Sequence, residues 1–547
     1  MMKYTILKIL FFIIIAASAY VFKVQQIDSL HILTNAHSDW AILNLMALDI
    51  WSGKPVIYFY GQNYLGSLSS GLAALIQWLG FFQNEQVIHL EKIWIDPKSM
   101  MAAASFLVCS GVLLFALSVA KLYHWLLGLV VLFYGLFLNQ YLSTHHFSPN
   151  LGDEMAIFFS GALCLSFAFF RWNFWSPLVL GLIAGLGWWM NQTVIFLLMP
   201  ILIILFTEKG WLPSIAKTYF TDRLFFPAKE SLVQKNLFRL GLIIFSIGFL
   251  VSLWGGVDTH LFGIKLKIGN GFSSIKTAII LWALVLIIRD FRSNFFRKIA
   301  SEIGKSFYPF IVGFVVGYSP VVLGRFLGWY EKSYGVSFKP VSLFDIFPHI
   351  LRLYTEFFPR TFSWGTGFTD LLISTIILSI LGHFFVRKLS KKPMIQRRDI
   401  FGAAIILNIL YVVLADRSRT EFALRYMSTT MIFVPVLLLS LYDSQRKALF
   451  NGILIVSITA IFSYFSIMSF QVSAPQRDSK TAQILIEKIK RVELLPCQVI
   501  KGDFWDVYLW EYLSARKVLA KVTEGQNRTW SRDEELEGLE SCTISDL

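Results

Sequence analysis

Apolar runs about as long as a bilayer-crossing helix needs (~20 residues) recur along the chain to about residue 470, parted by short polar turns. They predict helices at 5–22, 100–119, 124–140, 154–170, 240–256, 278–288, 307–324, 370–386, 401–415, 427–442 and 449–469. The run 177–206, "PLVLGLIAGLGWWMNQTVIFLLMPILIILF", is too long for one untilted span. It reads as two short helices meeting at a tip from Trp188 to Asn191. The fold class expected is an all-α polytopic membrane protein with about 13 transmembrane helices. The first run, "ILKILFFIIIAASAYVF", lacks a convincing small-x-small cleavage site before a polar mature chain and reads as a retained helix.

Two regions break the pattern. Residues 23–99 form a long first outer loop, within which "GQNYLGSLSSGLAALIQWLGFF" is apolar enough to resemble a crossing. A crossing there would carry "QNEQVIHLEKIWIDPKS" inside and Lys121 outside, so a helix lying along the interface, or re-entrant, fits better. Past residue 470 the apolar patches shorten, helix-like and then strand-like, in "ILIEKIKRVELLPCQVIKGDFWDVYLWEYLSARKVLA". Residues 471–547 therefore read as a small α/β extracytoplasmic domain beyond a transmembrane catalytic domain at 1–470. Its acidic end, "EGQNRTWSRDEELEGLESCTISDL", is expected to be mobile.

Composition agrees: 56% of residues are hydrophobic and 15% charged, with mean hydropathy +0.60. A soluble domain is nearer a quarter charged. The net charge of +14 would suggest a nucleic-acid surface if it were spread evenly. It is concentrated instead in seven turns, 1–8, 121–124, 171–176, 207–239, 289–306, 387–400 and 443–448. These hold nearly half of the 49 Lys/Arg but a fifth of the 35 Asp/Glu. That asymmetry is a positive-inside signal, and it excludes nucleic acid as the expected partner. Of the four cysteines, Cys109 and Cys164 lie in apolar helices as packing residues. Cys497 and Cys542 can pair if the tail meets an oxidising compartment.

With basic turns inside, the remaining ionisable residues gather at outer helix ends. Asp39 follows the first helix; His145, His146, Asp153 and Glu154 lie between the third and fourth. Arg325, Arg352 and Arg360 flank the ninth and tenth, and Arg417, Arg419, Glu421 and Arg425 crowd the turn "ADRSRTEFALRY". Charge near bilayer depth is costly and calls for a role or a partner. Carboxylates early and guanidiniums late fit a transfer from a lipid phosphate: a loop Asp as general base, Arg forks on the departing phosphate. Catalysis is expected from Asp39 and Glu154, donor phosphate binding from Arg425, Arg417, Arg419 and Tyr426, and substrate binding from Gln62, Tyr64 and His146. Simpler roles compete: a helix cap for Asp39 or Asp153, a dipole contact for Glu154, lipid headgroups for the arginines. Adjacent histidines are poor metal-ligand spacing on a helix. No cofactor is required by these residues, and ligand spacing does not support a divalent cation. Asn191-Gln-Thr and Asn527-Arg-Thr match the glycosylation sequon.

Five stretches carry a resemblance: "SD…GKPVIYFYGQNYLGSL", "NLGDEMAIFFSGALCL", "GLIAGLGWWMNQTVIFLLMPILIIL", "LRYMSTTMIFVPVLLLSL" and "GDFWDVYLWEYLSARKVLA". In this order they resemble bacterial GT-C glycosyltransferases related to protein O-mannosyltransferases and aminoarabinose transferases, the glycosyltransferase family 39-like group. The resemblance implies a multi-pass fold, an outer-face active site and a polyprenyl-phosphate sugar donor, with membrane lipid around it and a glycan, lipid or protein as acceptor. It implies the acidic base at Asp39, a second acid at Glu154, and the late Arg-Tyr pair at Arg425 and Tyr426. It further implies inverting displacement and a bacterial inner membrane. Many relatives carry Asp-Glu at the first site, whereas here Trp40 follows Asp39.

The expected function is thus an integral-membrane inverting glycosyltransferase. A lipid-linked saccharide transporter or flippase would want ionisable groups at mid-membrane along a path. A glycan polymerase or ligase would need a second lipid-linked substrate.

Overall fold

The computed structural model describes residues 2–25, 27, 37–54, 56–59, 62–80, 97–138, 152–211, 243, 257–261, 264–268, 294–327, 348, 350–351, 396–414, 479–514, 516–524, 536 and 538–543. The described part is mostly helical. It comprises α1 (Met2–Gln25), α2 (Ser38–Trp51), α3 (Leu68–Trp78), α4 (Pro97–Leu122), α5 (Trp125–Phe133), α6 (Asp153–Ala168), α7 (Trp175–Met190), α8 (Ile195–Glu208), α9 (Asn294–Phe326) and α10 (Ile400–Leu414). Beyond them come α11 (Ser479–Leu494) and α12 (Phe504–Leu513). Two hairpins, β1 (Tyr58–Phe59) with β2 (Gln62–Gly66) and β3 (Val257–Leu261) with β4 (Ile264–Ile268), are antiparallel.

Among the described residues three helices are long and apolar enough to cross a membrane, over Ile6–Gln25, Lys98–Leu122 and Gly304–Gly324. The expected count of about 13 is not reached by these, and the expected helices at 240–256, 278–288, 370–386, 427–442 and 449–469 lie outside the described residues, Ile243 apart. The run 177–206 does form two helices, α7 and α8. Asn191 parts them, its Oδ1 accepting from the Thr193 N–H and hydroxyl. The basic segment 289–306 is not a loop over most of its length: α9 begins at Asn294 and runs 33 residues, about 50 Å at helical rise. In the region 23–99, α2 and α3 are helices of 14 and 11 residues, each too short to span.

α4 is the central pillar, most of its apolar side chains from Met100 to Val119 buried against α1, α5, α6 and α3, with Phe106 exposed. α1 instead leaves Leu7, Leu10, Phe11, Ile14 and Phe22 exposed, an apolar face suited to lipid. Glycine allows the closest helix contacts. A Cβ on Gly181 or Gly185 of α7 would stand 2.0 or 2.2 Å from the Phe310 or Phe314 carbonyl oxygen of α9. One on Gly313 or Gly317 would meet the Leu178 or Leu182 carbonyl at 2.1 or 2.3 Å. The two helices therefore interlock through reciprocal small-x-x-x-small pairs, backbone on backbone.

The basic turns meet at one end of this bundle. Lys8 lies over the Trp125 ring, Lys121 over Phe169 and Lys209 over Trp172. Arg397 forks onto Glu208 at 2.7 and 2.9 Å and donates to the Phe170 carbonyl at 2.8 Å, while the Tyr123 hydroxyl donates to the Arg398 carbonyl. The starts of α4 and α6 and the α7–α8 tip form the opposite end.

The tail is an α/β unit. β5 (Val499–Asp503) lies between β6 (Leu519–Glu524) and β7 (Ser541–Thr543), all parallel, with α12 as the crossover from β5 to β6. Cys497 and Cys542 form a disulfide with Cα atoms 5.8 Å apart, tying the start of β5 to β7. Cys109 and Cys164 are free and buried.

Candidate active site

The opposite end from the basic turns holds three buried carboxylates in the first turns of two helices, Asp39 in α2 and Asp153 and Glu154 in α6. Asp39 starts α2 and is 1% exposed; Glu154 starts α6 and is fully buried. Asp39 is therefore not a loop residue. Nor is it the cap, because His37 takes that place, its Nδ1 accepting the Trp40 N–H at 3.3 Å. Asp153, a candidate cap in the sequence, lies inside α6; the capping position belongs to Gly152, whose φ of 77° is the left-handed conformation glycine adopts without strain. Carboxylates in these first turns face the positive ends of the helix dipoles, which offsets part of the cost of burying charge.

α3 connects Glu154 to the helix that carries Asp39 through consecutive serines. The Ser69 hydroxyl donates to Glu154 Oε1 at 2.5 Å, and the Ser70 hydroxyl donates to the Leu43 carbonyl at 2.9 Å, one turn beyond Asp39. Ser69 and Ser70 are fully buried. Serine suits these positions because its short side chain returns the hydrogen-bonding capacity a packed interface would otherwise bury unpaired. The sequence reading passed over both residues, although "GSLSSGL" is an unusually polar start for an apolar helix.

The hairpin closes over the same end. The Trp189 indole donates to the Ile57 carbonyl at 3.1 Å, and Gly66 of β2 lies so close to α7 that a Cβ there would strike Met190. A Cβ on Gly324 of α9 would meet Ile57, so the end of α9, with Arg325, lies beside this hairpin. β2 carries Gln62 and Tyr64. Asn191 Nδ2 donates to the Gly152 carbonyl at 3.1 Å, fastening the α7–α8 tip to the start of α6. Asn191 is buried by this use, which removes it as a glycosylation acceptor. Trp189 is thus a hydrogen-bonded strut between α7 and the hairpin.

Burial pushes the His37 imidazole pKa below its usual value, and neighbouring Asp39 opposes that shift. The neutral ring is the form that can accept the Trp40 N–H. Among the described residues no three His, Cys, Asp or Glu side chains are grouped to hold a metal ion. The expected His146, Arg417, Arg419, Arg425 and Tyr426 lie outside the described residues.

No family model matches the chain. Among solved structures it is similar to an oligosaccharyltransferase of Archaeoglobus fulgidus in complex with Zn and sulfate, at 12% identity and TM-score 0.42, covering 92% of this chain and 62% of that one. It is similar also to the archaeal oligosaccharyltransferase AglB of that organism in complex with an inhibitory peptide and a dolichol-phosphate, at 11% identity and TM-score 0.41, covering 92% and 64%. A third structure of the Archaeoglobus fulgidus enzyme, tethered to an acceptor peptide containing the NVT sequon, gives 11% identity and TM-score 0.43, covering 92% and 63%. The chain spans about three fifths of the length of these proteins.

Proposed function

We propose that this protein is an integral-membrane inverting glycosyltransferase of the GT-C type, moving a sugar from a polyprenyl-phosphate donor to an acceptor at the non-cytoplasmic face. The observation that carries the reading is that the buried acids Asp39 and Glu154 stand at the starts of α2 and α6, at the bundle end opposite the basic turns. α3 ties these two helices together, Ser69 bonding Glu154 and Ser70 bonding the Leu43 carbonyl of α2. Acids held this way suit proton transfer, and a transporter path at mid-membrane has no such need.

In the reaction, Asp39 takes the proton from the acceptor hydroxyl as its oxygen bonds to the anomeric carbon. The bond from that carbon to the donor phosphate oxygen breaks on the opposite face, and its electron pair leaves on the phosphate. Glu154 orients the acceptor. Arg417, Arg419, Arg425 and Tyr426 receive the phosphate, whose growing charge guanidiniums stabilise without losing a proton. Gln62, Tyr64 and His146 bind the sugar or acceptor.

Two features support the orientation. Basic turns favour the cytoplasmic side, which leaves the acids outside. The disulfide of the tail suits an oxidising compartment, and that tail packs on the helix bearing Asp39.

The test is Asp39→Asn in purified, membrane-reconstituted protein, assayed with a polyprenyl-phosphate sugar and with peptide, lipid and glycan acceptors. Transfer should fall by about 10²–10⁴-fold while insertion and thermal stability hold. Transfer at the wild-type rate would remove the base. Movement of labelled lipid-linked sugar across the bilayer without covalent transfer would favour the flippase reading instead.

A further inference from the structure

The tail does not hang from the bundle as a separate module. α12 packs on α2, and their contact has one anchor near each end of α2. At the first end Trp40, fully buried and adjacent to Asp39, sets its ring edge-on to Tyr512, centroids 5.1 Å apart. At the last, Arg516 forks onto Asp49, Nη1 to Oδ1 at 2.7 Å and Nη2 to Oδ2 at 2.9 Å, across 467 positions of sequence.

Arg516 is built for that reach. Its φ of 61° is the left-handed conformation, the one non-glycine case among the described residues, and it turns the chain out of α12 so that the side chain points back at α2. Its N–H donates to the Glu511 carbonyl at 2.8 Å, and its Nε lies 3.5 Å from Glu511 Oε1. Glu511, fully buried, also accepts the Ala520 N–H at 2.9 Å, tying the clamp to β6. One guanidinium thus stands between a carboxylate of the membrane-proximal helix and a carboxylate of the tail, both buried. Removing it would leave two enclosed anions facing each other, which is far costlier than breaking an exposed pair. Lys54 also reaches Asp49, at 3.6 Å, but it is largely exposed and screened.

We infer that Arg516 is a positioning residue: the tail clamps α2 through Asp49 and Trp40, and thereby fixes the helix that carries Asp39. The inference rests on the proposed role of Asp39 for its catalytic part alone. Asp39 and Asp49 lie ten residues apart on one helix, about 15 Å of rigid rise, so a tilt at one end moves the other. Displacements of about 1 Å in a reacting group cost up to about a hundredfold in rate.

The experiment uses the full chain in lipid nanodiscs, with Arg516→Gln, Asp49→Asn, the double variant and Arg516→Lys. Hydrogen exchange is followed over 38–51, with exchange over 499–524 and disulfide formation reporting that the tail stays folded. Transfer is followed as kcat and KM with a polyprenyl-phosphate sugar. Each single variant should raise exchange in 38–51 by about tenfold or more. Each should also lower kcat by about tenfold, with donor KM held within about twofold. The double variant should be no worse than either single, and Arg516→Lys should recover part of both effects, since an ammonium keeps the charge but loses the fork. Unchanged exchange in 38–51, or raised exchange with unchanged kcat, would overturn the inference. Wild-type protein that transfers sugar to none of the acceptors would sink the glycosyltransferase reading, and the exchange measurements alone would then decide the clamp.

Discussion

The Ser69 hydroxyl donates to Glu154 Oε1 and so joins the first turn of α3 to the first turn of α6. Two substitutions separate what the bond does for the fold from what the acid does for the reaction. Ser69→Ala leaves a buried carboxylate short of a donor and should cost about 1–3 kcal/mol of stability. Glu154→Gln keeps a carbonyl oxygen for Ser69 to donate to, so its melting midpoint should stay near wild type while transfer falls by about tenfold or more. Midpoints in detergent, read beside transfer rates, check both. Equal loss of stability in the two variants would reduce Glu154 to a structural acid.

Helix packing gives a sharper contrast within one element. Gly317 of α9 faces the α7 backbone, whereas Gly304 of the same helix has open space where a Cβ would stand. Gly317→Leu must part the two helices and should destabilise by about 1–3 kcal/mol or more. Gly304→Ala should be neutral, or stabilising by about 0.5–1 kcal/mol, because it removes the entropic cost of helical glycine. Thermal unfolding of the two variants side by side is sufficient.

These pairs mark where the sequence was legible and where it was not. Apolar run length located α1, α4, α6 and α10 to within a few residues, because membrane helices are specified by length and hydropathy. Basic turns likewise predicted which residues share an end, and Lys8, Lys121, Lys209 and Arg397 do. What composition could not show was polar complementarity across long separations. Ser69 looks like an ordinary small residue until it meets Glu154, and Arg516 looks like a loop cation until the turn after α12 aims it at Asp49. Gly181-x-x-x-Gly185 and Gly313-x-x-x-Gly317 stand in the sequence as a readable motif on each partner, but their pairing depends on tertiary contact. Trp40 beside Asp39 likewise has its reason in a distant residue, Tyr512, whose ring it meets edge-on.

Cysteine chemistry tests the tail without reference to activity. A membrane-impermeant maleimide should label no cysteine in folded protein: Cys497 and Cys542 are bonded, and Cys109 and Cys164 are buried in helices. Denaturation without reductant should expose two thiols, and denaturation with reductant four. Cys497→Ser should lower stability of the tail by about 2–4 kcal/mol through the freedom returned to its unfolded chain. Four reactive thiols in denatured, unreduced protein would rule out the disulfide.

The cap of α2 carries a pH dependence whose direction follows from His37. Burial, the larger influence, holds its pKa below 6.5, and Asp39 pulls the other way. The unfolded chain therefore binds the proton first as pH falls. Stability from the neutral, capping ring is complete above about pH 6.5 and is lost as pH drops from there through the lowered folded value; below that value both states are protonated and the dependence ends. The loss has a structural cause, since a protonated Nδ1 cannot accept the Trp40 N–H. His37→Asn retains a capping acceptor without titrating. Its midpoint should therefore fall less between pH 7 and pH 5 than that of the wild type, in the same detergent and salt. Parallel curves for the two proteins would show that His37 titrates alike in both states and would remove it as the source of the acid sensitivity.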